Sequence, residues 1–231
     1  MSDEKRNHLE DIYTSIKNGL TPIHPEGKKF ALYAAIGGLV LSWFIWDELA
    51  WVGVILAVYC LYFFRDPERF TPEGDNLVVS PADGLVQMVT PDMVPPAELK
   101  MGDKPHTRIS IFLNVFDVHI NRVPMAGTII AAEYIKGKFL NAELDKASLE
   151  NERQLLAVKN SKAKIGFIQI AGFVARRIIC NIAEGDEVEA GDRFGLIRFG
   201  SRLDVYIPAD ATIKVREGQR SIGAETVLAE I

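Results

Sequence analysis

The sequence predicts a mainly β domain that follows an N-terminal helical hairpin. Two apolar runs, residues 30–46 and 49–64, are separated only by Asp47 and Glu48, a pattern typical of two helices joined by a tight turn. From residue 76 onward, short apolar segments alternate with Gly, Pro, Asn and Asp, which indicates strands and turns. The chain of 231 residues is long enough for one β domain and such an appendage.

The hairpin, residues 30–64, is predicted to be a membrane anchor. Each apolar run is close to the lower length limit for a membrane-spanning helix, about 17 residues. Lys28 and Lys29 precede the first run and Arg65 and Arg69 follow the second, and the positive-inside rule assigns such flanks to the cytoplasm. The expected location is therefore the cell membrane, with the following domain on the cytoplasmic face. A buried helical pair in a soluble core is the alternative.

Residues 1–29 form a hydrophilic, amphipathic segment. Its apolar residues recur at helical spacing and predict a helix that lies on a membrane surface or packs on the protein; they are Leu9, Ile12, Tyr13, Ile16 and Leu20. The net charge of −5 gives no general attraction to nucleic acid. Cys60 and Cys180 form neither a disulfide framework nor a metal-binding pattern, so we expect no metal and a reducing compartment.

Residues 65–231 are predicted to form the β-rich domain. The expected strands are 77–79, 85–89, 108–113, 127–132, 165–170, 176–182, 194–198, 203–207 and 212–215. Polar residues 141–156 are expected to form a loop with a helical turn or two. The segments 81–86 and 208–213 echo each other, and this repetition resembles the barrel-sandwich arrangement of lipoyl and biotinyl domains. No Met-Lys-Met turn is present to carry such a prosthetic group.

The bond between Gly200 and Ser201 is a candidate for self-cleavage. The Ser201 hydroxyl can attack the Gly200 carbonyl and exchange the amide for an ester, and elimination then leaves dehydroalanine, which hydrolyses to a pyruvoyl group. Glycine suits the preceding position because it has no Cβ and tolerates an unusual backbone conformation. The alternative is an ordinary turn between two strands.

His119 is the histidine best suited to moving a proton. It follows a strand-like run in a segment dense in polar groups, and histidine titrates nearest to neutral pH. A strand-end histidine bonded to backbone is the alternative. His8 and His24 are interpreted as polar-segment residues, and His106 as part of an exposed loop before a strand.

Asp83 is a candidate acid or base in the segment 80–84. Its sequence, Pro-Ala-Asp-Gly, is also a turn sequence in its own right. The matching Asp210 is expected to have only the turn role.

Three segments together resemble the phosphatidylserine decarboxylase proenzymes, in particular their short bacterial branch. They are residues 81–84, 116–124 and 199–202, and they occur in the order found in that family. The resemblance covers residues 65–231, behind a hydrophobic anchor of the kind that the family also has.

The resemblance implies a role for each site residue. Cleavage between 200 and 201 would leave a β chain, 1–200, and an α chain, 201–231, that begins with a covalent pyruvoyl group derived from Ser201. His119 matches the family's proton-transfer histidine, and Asp83 matches the aspartate associated with self-processing. Larger members have a second histidine where this chain has Arg122. The base for self-cleavage therefore stays open among His119, Asp83 and Asp117.

The implied reaction is decarboxylation of phosphatidylserine to phosphatidylethanolamine, a step of phospholipid biosynthesis. The pyruvoyl ketone condenses with the serine amine and takes up the electrons released with CO2, so no pyridoxal phosphate is needed. The expected partners are membrane lipid and the cleaved chains themselves, with a homo-oligomer as an option. Arg122 and Arg202 are candidates for binding an anion, with a salt-bridge role as the alternative for each.

Two other classes of protein fit parts of the sequence. A membrane-tethered serine peptidase could use Ser201 with His119 or a lysine, and would leave Ser201 intact. A membrane-anchored β binding module without enzymatic activity would need neither Asp83 nor His119. Both rivals leave the order of the three segments unexplained.

Overall fold

The computed structural model describes residues 21–138, 150–172, 177–198 and 201–231. The chain divides into two compact units between Glu68 and Arg69. The expected amphipathic helix falls almost entirely within residues 1–20, outside the described residues, and so does His8.

The first unit contains two packed helices, α1 (Pro25–Phe44) and α2 (Leu49–Phe63). The His24 ring accepts a hydrogen bond from the Glu26 amide at the start of α1. The helices approach closely at Gly38 and Gly53, where a Cβ on Gly38 would lie 2.5 Å from the Gly53 Cα. Both apolar runs are therefore helical. Among the described residues, no helix combines the length and the apolar character needed to cross a membrane.

The second unit is mainly β, which confirms the predicted class. Its strands are β1 (Leu77–Val79), β2 (Gly84–Met93), β3 (His106–Leu113), β4 (Ile120–Arg122), β5 (Gly127–Ile135), β6 (Arg153–Lys159), β7 (Lys164–Ala171), β8 (Ile178–Cys180), β9 (Glu187–Val188), β10 (Arg193–Ile197), β11 (Ser201–Pro208), β12 (Thr212–Ile213), β13 (Arg220–Ser221) and β14 (Val227–Glu230). A short 3-10 helix spans Ala97–Leu99.

One large curled sheet organises these strands. Its order is β13-β2-β3-β11-β7-β6-β5-β9, and two small sheets, β1-β14-β12 and β4-β10-β8, complete the unit. Strand β11 lies near the middle and pairs antiparallel with β3 and β7. The barrel-sandwich likeness to lipoyl domains stays a prediction.

Two details of the sequence-based prediction are wrong. Residues 153–156, expected to continue a loop with helical turns, belong to β6, which pairs with β5 and β7. The polar Arg153 and Gln154 begin a strand whose next four residues, 155–158, have no exposed surface. His106 is not in an exposed loop, because it begins β3 and is buried, with Nδ1 2.7 Å from the Lys104 carbonyl oxygen.

The hydrophobic core contacts β11 from both faces of the sheet. Leu203, Val205 and Ile207 belong to the larger cluster of buried apolar residues. Tyr206 belongs to a second cluster, together with residues of β5, β6 and β7. Since successive side chains of a strand point to opposite faces, β11 is enclosed on both sides. Its first residue, Ser201, is therefore at a fixed place in the domain.

Candidate active site

Ser201 lies in a row of residues that crosses the central sheet. It pairs with Leu113 of β3 on one side and with Ala171 of β7 on the other. Leu85 pairs with Phe112, so Gly84 is next to Leu113 in the same row. Two strand spacings, roughly 10 Å, therefore separate β2 from β11 at this level. Asp83 directly precedes Gly84, so it lies at the same end of the strands as Ser201, the first residue of β11.

The Ser201 hydroxyl is buried without a hydrogen-bond partner. The residue has no exposed surface, and its Oγ has no partner among the described residues. A buried hydroxyl that makes no hydrogen bond costs free energy, on the order of 1–3 kcal/mol. Such groups are uncommon in folded proteins, and a catalytic role is one of the explanations for them. The two preceding residues, 199 and 200, are outside the described residues.

His119 is buried, and its backbone contact fixes its tautomer. Its Nδ1 lies 2.9 Å from the Asp117 carbonyl oxygen. Because a carbonyl oxygen can only accept, Nδ1 carries the proton in the neutral ring. Nε2 then holds the lone pair, which is the form that a proton acceptor requires.

Strand pairing places His119 towards the same end of the sheet as Ser201. Strands β4 and β10 are antiparallel, with Ile120 beside Leu196. His119 directly precedes β4 and is therefore at the end of β10 from which the chain continues towards Ser201. The loop that carries His119 also begins directly after Leu113, the neighbour of Ser201 on β3. The loop after Leu113 and the pairing of β4 with β10 therefore both place His119 towards the end of the sheet at which β11 begins.

The Asp83 carboxylate is held by an arginine and a backbone amide. Arg69 Nη2 donates to both carboxylate oxygens, at 2.9 and 2.7 Å, and the Gly223 amide donates to Oδ1 at 2.8 Å. Burial raises the pKa of Asp83 above its usual range, and the nearby Asp117 carboxylate raises it further. Arg69 and the Gly223 amide lower this pKa but do not cancel the effect of burial. Asp83 therefore keeps its proton to a higher pH than an exposed aspartate does.

A hydroxyl pair fixes the two segments that meet at Asp83. Ser221 Oγ donates to Ser80 Oγ at 2.6 Å, and Ser80 Oγ donates to the Ala82 carbonyl oxygen at 2.8 Å. A Cβ on Gly223 would lie 3.2–3.3 Å from Ala82 backbone atoms and from Asp83 Oδ1. Glycine is thus the residue that lets the amide of this turn reach the carboxylate.

Asp117, left open as a base, is paired with an arginine. Its Oδ1 accepts a short hydrogen bond from Arg220 Nη2, and its Oδ2 accepts the Asn114 amide at 2.9 Å. Sequence reasoning missed Arg220 altogether and interpreted Arg69 only as a charge flanking the hairpin. Neither belongs to a motif, and each meets its carboxylate through contacts distant in sequence, so no local signal marks them.

The two arginines considered for anion binding have partners within the fold. Arg202 is completely buried and forms an ion pair with Asp204, with Nε 2.9 Å from Oδ1. Arg122 is buried and donates through Nη1 to the Gly191 carbonyl oxygen at 3.1 Å. These contacts favour the structural interpretation of both arginines.

A large cleft in the described part of the second unit is separate from these residues. Its volume is about 630 Å³ and its lining includes Glu73, Asp75, Glu187, Glu189 and Asp192. Ser201, His119 and Asp83 are not part of it. Five carboxylates would repel an anionic ligand, so this cleft does not fit a substrate that carries phosphate and carboxylate.

The fold and these side chains fit an enzyme, with a buried serine and a buried histidine as candidate reactive groups. Strand register places Ser201, His119 and the carboxylates of Asp83 and Asp117 towards the same end of the sheet. The family model for phosphatidylserine decarboxylase matches residues 56–229, and the chain belongs to that family. Its activity is accordingly the decarboxylation of phosphatidylserine, a lyase reaction of phospholipid biosynthesis. The match includes Asp83, His119 and Ser201.

Proposed function

We propose that the enzyme makes its own cofactor by cleaving the bond between Gly200 and Ser201. The observation that carries this proposal is the buried Ser201 hydroxyl, which has no partner among the described residues. Buried hydroxyls normally hydrogen-bond, so an unpaired one at this bond calls for an explanation. A pyruvoyl group formed there would stay at the start of β11, between β3 and β7.

The cleavage steps balance without any outside reagent except water. Ser201 Oγ forms a bond with the Gly200 carbonyl carbon while the carbon–nitrogen bond breaks, which gives an ester and a free amine. Loss of the Ser201 Cα proton then breaks the bond between Cβ and Oγ and releases the Gly200 carboxylate. Water replaces the nitrogen of the resulting dehydroalanine, and ammonia leaves. The product is a pyruvoyl group at the head of residues 201–231.

His119 is the proposed proton acceptor for the Ser201 hydroxyl. Its hydrogen bond to the Asp117 carbonyl oxygen supports the tautomer in which Nε2 can take a proton. The Asp83 carboxylate, from the same edge, would stabilise the imidazolium that forms. In the decarboxylation itself, the pyruvoyl group supplies an electron sink for the pair left when CO2 departs. His119, protonated from solvent in each turnover, would donate a proton to the carbon that carried the carboxylate.

The two cleaved chains are proposed to remain one folded unit. Strand β11 makes backbone hydrogen bonds to β3 and β7, and β14 pairs with β1. Both pairings join the proposed 201–231 fragment to residues 1–200. Cleavage would therefore remove one covalent bond and leave the sheet intact.

The test is the intact mass of the purified protein under denaturing conditions, beside a Ser201→Ala variant. We expect two chains from the wild type, the smaller one lighter by one ammonia than the peptide 201–231. The alanine variant should stay whole, because it has no hydroxyl to attack. A single uncut chain in the wild type would refute the proposal and return Ser201 to the role of a strand residue.

We further propose that the helical hairpin attaches the enzyme to the cell membrane, with the catalytic unit on the cytoplasmic face. Both helices carry large exposed apolar side chains, among them Trp43, Phe44, Trp51 and Ile55. Deleting residues 1–64 should lower activity on membrane-embedded phosphatidylserine more than on detergent-dispersed phosphatidylserine. Equal loss on both substrates would contradict an anchoring role.

A further inference from the structure

Three exposed apolar side chains of the catalytic unit lie close to the candidate site. Among its described residues, the large hydrophobics that are exposed are Phe70, Leu85, Val94, Val115, Phe116, Tyr134 and Ile222. Phe70 is 84% exposed, Phe116 63% and Ile222 41%. These three belong to different loops, yet each is adjacent in sequence to a residue that binds or forms the carboxylate pair at the site.

The contacts around the carboxylate pair bring the three loops together. Arg69, next to Phe70, and Gly223, next to Ile222, both bond to Asp83. Asp117, next to Phe116, bonds to Arg220, which pairs with Leu85, two residues after Asp83. Consecutive Cα atoms are only about 3.8 Å apart. Phe70, Phe116 and Ile222 therefore lie near the end of the sheet at which Ser201 begins β11. We call these three residues the apolar rim.

An arginine accompanies the apolar rim. Arg220 is bonded to Asp117, and its side chain is still 60% exposed. Of the nearby acids, Glu225 lies 3.8 Å from Arg69. Exposed aromatic and aliphatic side chains beside arginines are typical of surfaces that enter the headgroup layer of an anionic membrane.

We propose that the apolar rim inserts into the headgroup region of a bilayer that contains anionic lipid, with Arg220 against the phosphates. The inference rests on the proposed function, because that function requires Ser201 to meet a lipid that stays in its membrane. The three residues of the apolar rim belong to separate loops. Separate loops can each enter between lipid headgroups, which favours a bilayer as the partner. The catalytic unit would thus have a membrane contact of its own in addition to the hairpin.

Spin-label depth measurements on the full-length protein test this directly. Single cysteines are placed by Phe70→Cys, Phe116→Cys and Ile222→Cys in a background that carries Cys60→Ala and Cys180→Ala. Each nitroxide is examined with vesicles of phosphatidylcholine and phosphatidylglycerol by power saturation with oxygen and with a nickel chelate. The control label is Lys162→Cys, an exposed turn residue at the other end of the sheet.

We expect the three rim labels to become more accessible to oxygen and less accessible to nickel when vesicles are added, while the control label does not change. Rim labels that behave like the control on vesicle-bound protein would overturn the proposal. Labels that become immobile without gaining oxygen accessibility would overturn it too, because they would indicate contact with protein. The readout needs neither cleavage nor activity, so failure of the proposed function would not disguise the result.

A kinetic comparison gives a second, independent reading. The double variant Phe70→Ser and Phe116→Ser should lose about tenfold in activity on vesicle phosphatidylserine and less than about twofold on a detergent-dispersed short-chain substrate. Val94→Ser is the matched control, because Val94 is also exposed and follows the far end of β2. Intact mass confirms that each variant is processed like the wild type. Equal losses on the two substrates would contradict membrane insertion.

Discussion

Residues 81–84 and 208–211 both read Pro-Ala-Asp followed by a small residue, and the fold uses them in opposite ways. Ala82 is completely buried and the Pro81 carbonyl oxygen accepts the Arg122 amide at 2.9 Å. In the second copy Ala209 and Asp210 are exposed. The Pro208 carbonyl oxygen accepts the Ala211 amide at 3.1 Å, so this copy closes a local turn.

The difference comes from what each copy meets. The first copy lies beside β4 and beside the turn that contains Gly223, which together provide partners for its backbone and for Asp83. The second follows the far end of β11 and connects it to β12. A turn sequence becomes a candidate catalytic element only where other segments surround it. Each of the next three predictions changes one copy, or a residue near it, and uses the other copy or its surroundings as the control.

The largest effect is expected for Asp83→Asn compared with Asp210→Asn. Loss of the Asp83 charge should slow self-cleavage about 100-fold, because a carboxylate near the proton acceptor contributes to transition-state stabilisation. The same change at the exposed Asp210 should leave the rate within about twofold of wild type. The fraction of cleaved chain is followed over time by denaturing electrophoresis. Similar rates for the two variants would remove Asp83 from the site.

The fourth position of each copy tests packing. A Cβ on Gly84 would overlap the Phe112 carbonyl oxygen, whereas position 211 already carries alanine. Gly84→Ala should therefore destabilise the β unit by about 1–3 kcal/mol, and Ala211→Gly by less than about 1 kcal/mol.

Hydrogen exchange of peptides from β2 and β3, read by mass spectrometry, measures this difference. Tryptophan fluorescence is unsuitable because Trp43, Trp46 and Trp51 all lie in the helical unit. Equal protection in the two variants would mean that the close approach of Gly84 to β3 is not a constraint.

The smallest effect is a change in the pH profile. Arg69 lowers the pKa of Asp83, so Arg69→Gln should raise that pKa further and move the acid limb of the self-cleavage profile to higher pH. Lys214→Gln, which removes the surface pair with Glu230 near the second copy, should leave the profile unchanged. Cleavage rates measured across mildly acidic pH decide the point. An acid limb that moves to lower pH would contradict the assigned role of Arg69.

The same pKa shift has a consequence for stability. Burial raises the pKa of Asp83 in the folded state, so the folded protein binds more protons than the unfolded chain between the two pKa values. The contribution of Asp83 to stability is therefore fully present below the unfolded pKa and is lost as pH rises through the folded pKa. Neutral pH thus carries a stability cost at this residue.

Much of the fold could be read from local patterns. Alternating apolar residues between turn formers predicted nearly all the long strands, and the two apolar runs predicted the helices. Strand β6 was missed because its first residues are polar, and the buried His106 was misread because a proline precedes it. In both cases burial depends on neighbouring strands that a local pattern does not reveal.

The sequence by itself determined the order of the three family segments, the helical hairpin and the mainly β class, because hydrophobic periodicity and short motifs act locally. Only the tertiary structure decided which partners those segments meet. Pairing between strands distant in sequence enclosed Ser201 and gave Asp83 its arginine and its amide. It also left Asp210, in a nearly identical tetrapeptide, exposed at a turn. The environment of a side chain depends on contacts with residues that are distant in sequence. Two nearly identical tetrapeptides can therefore differ in their chemistry.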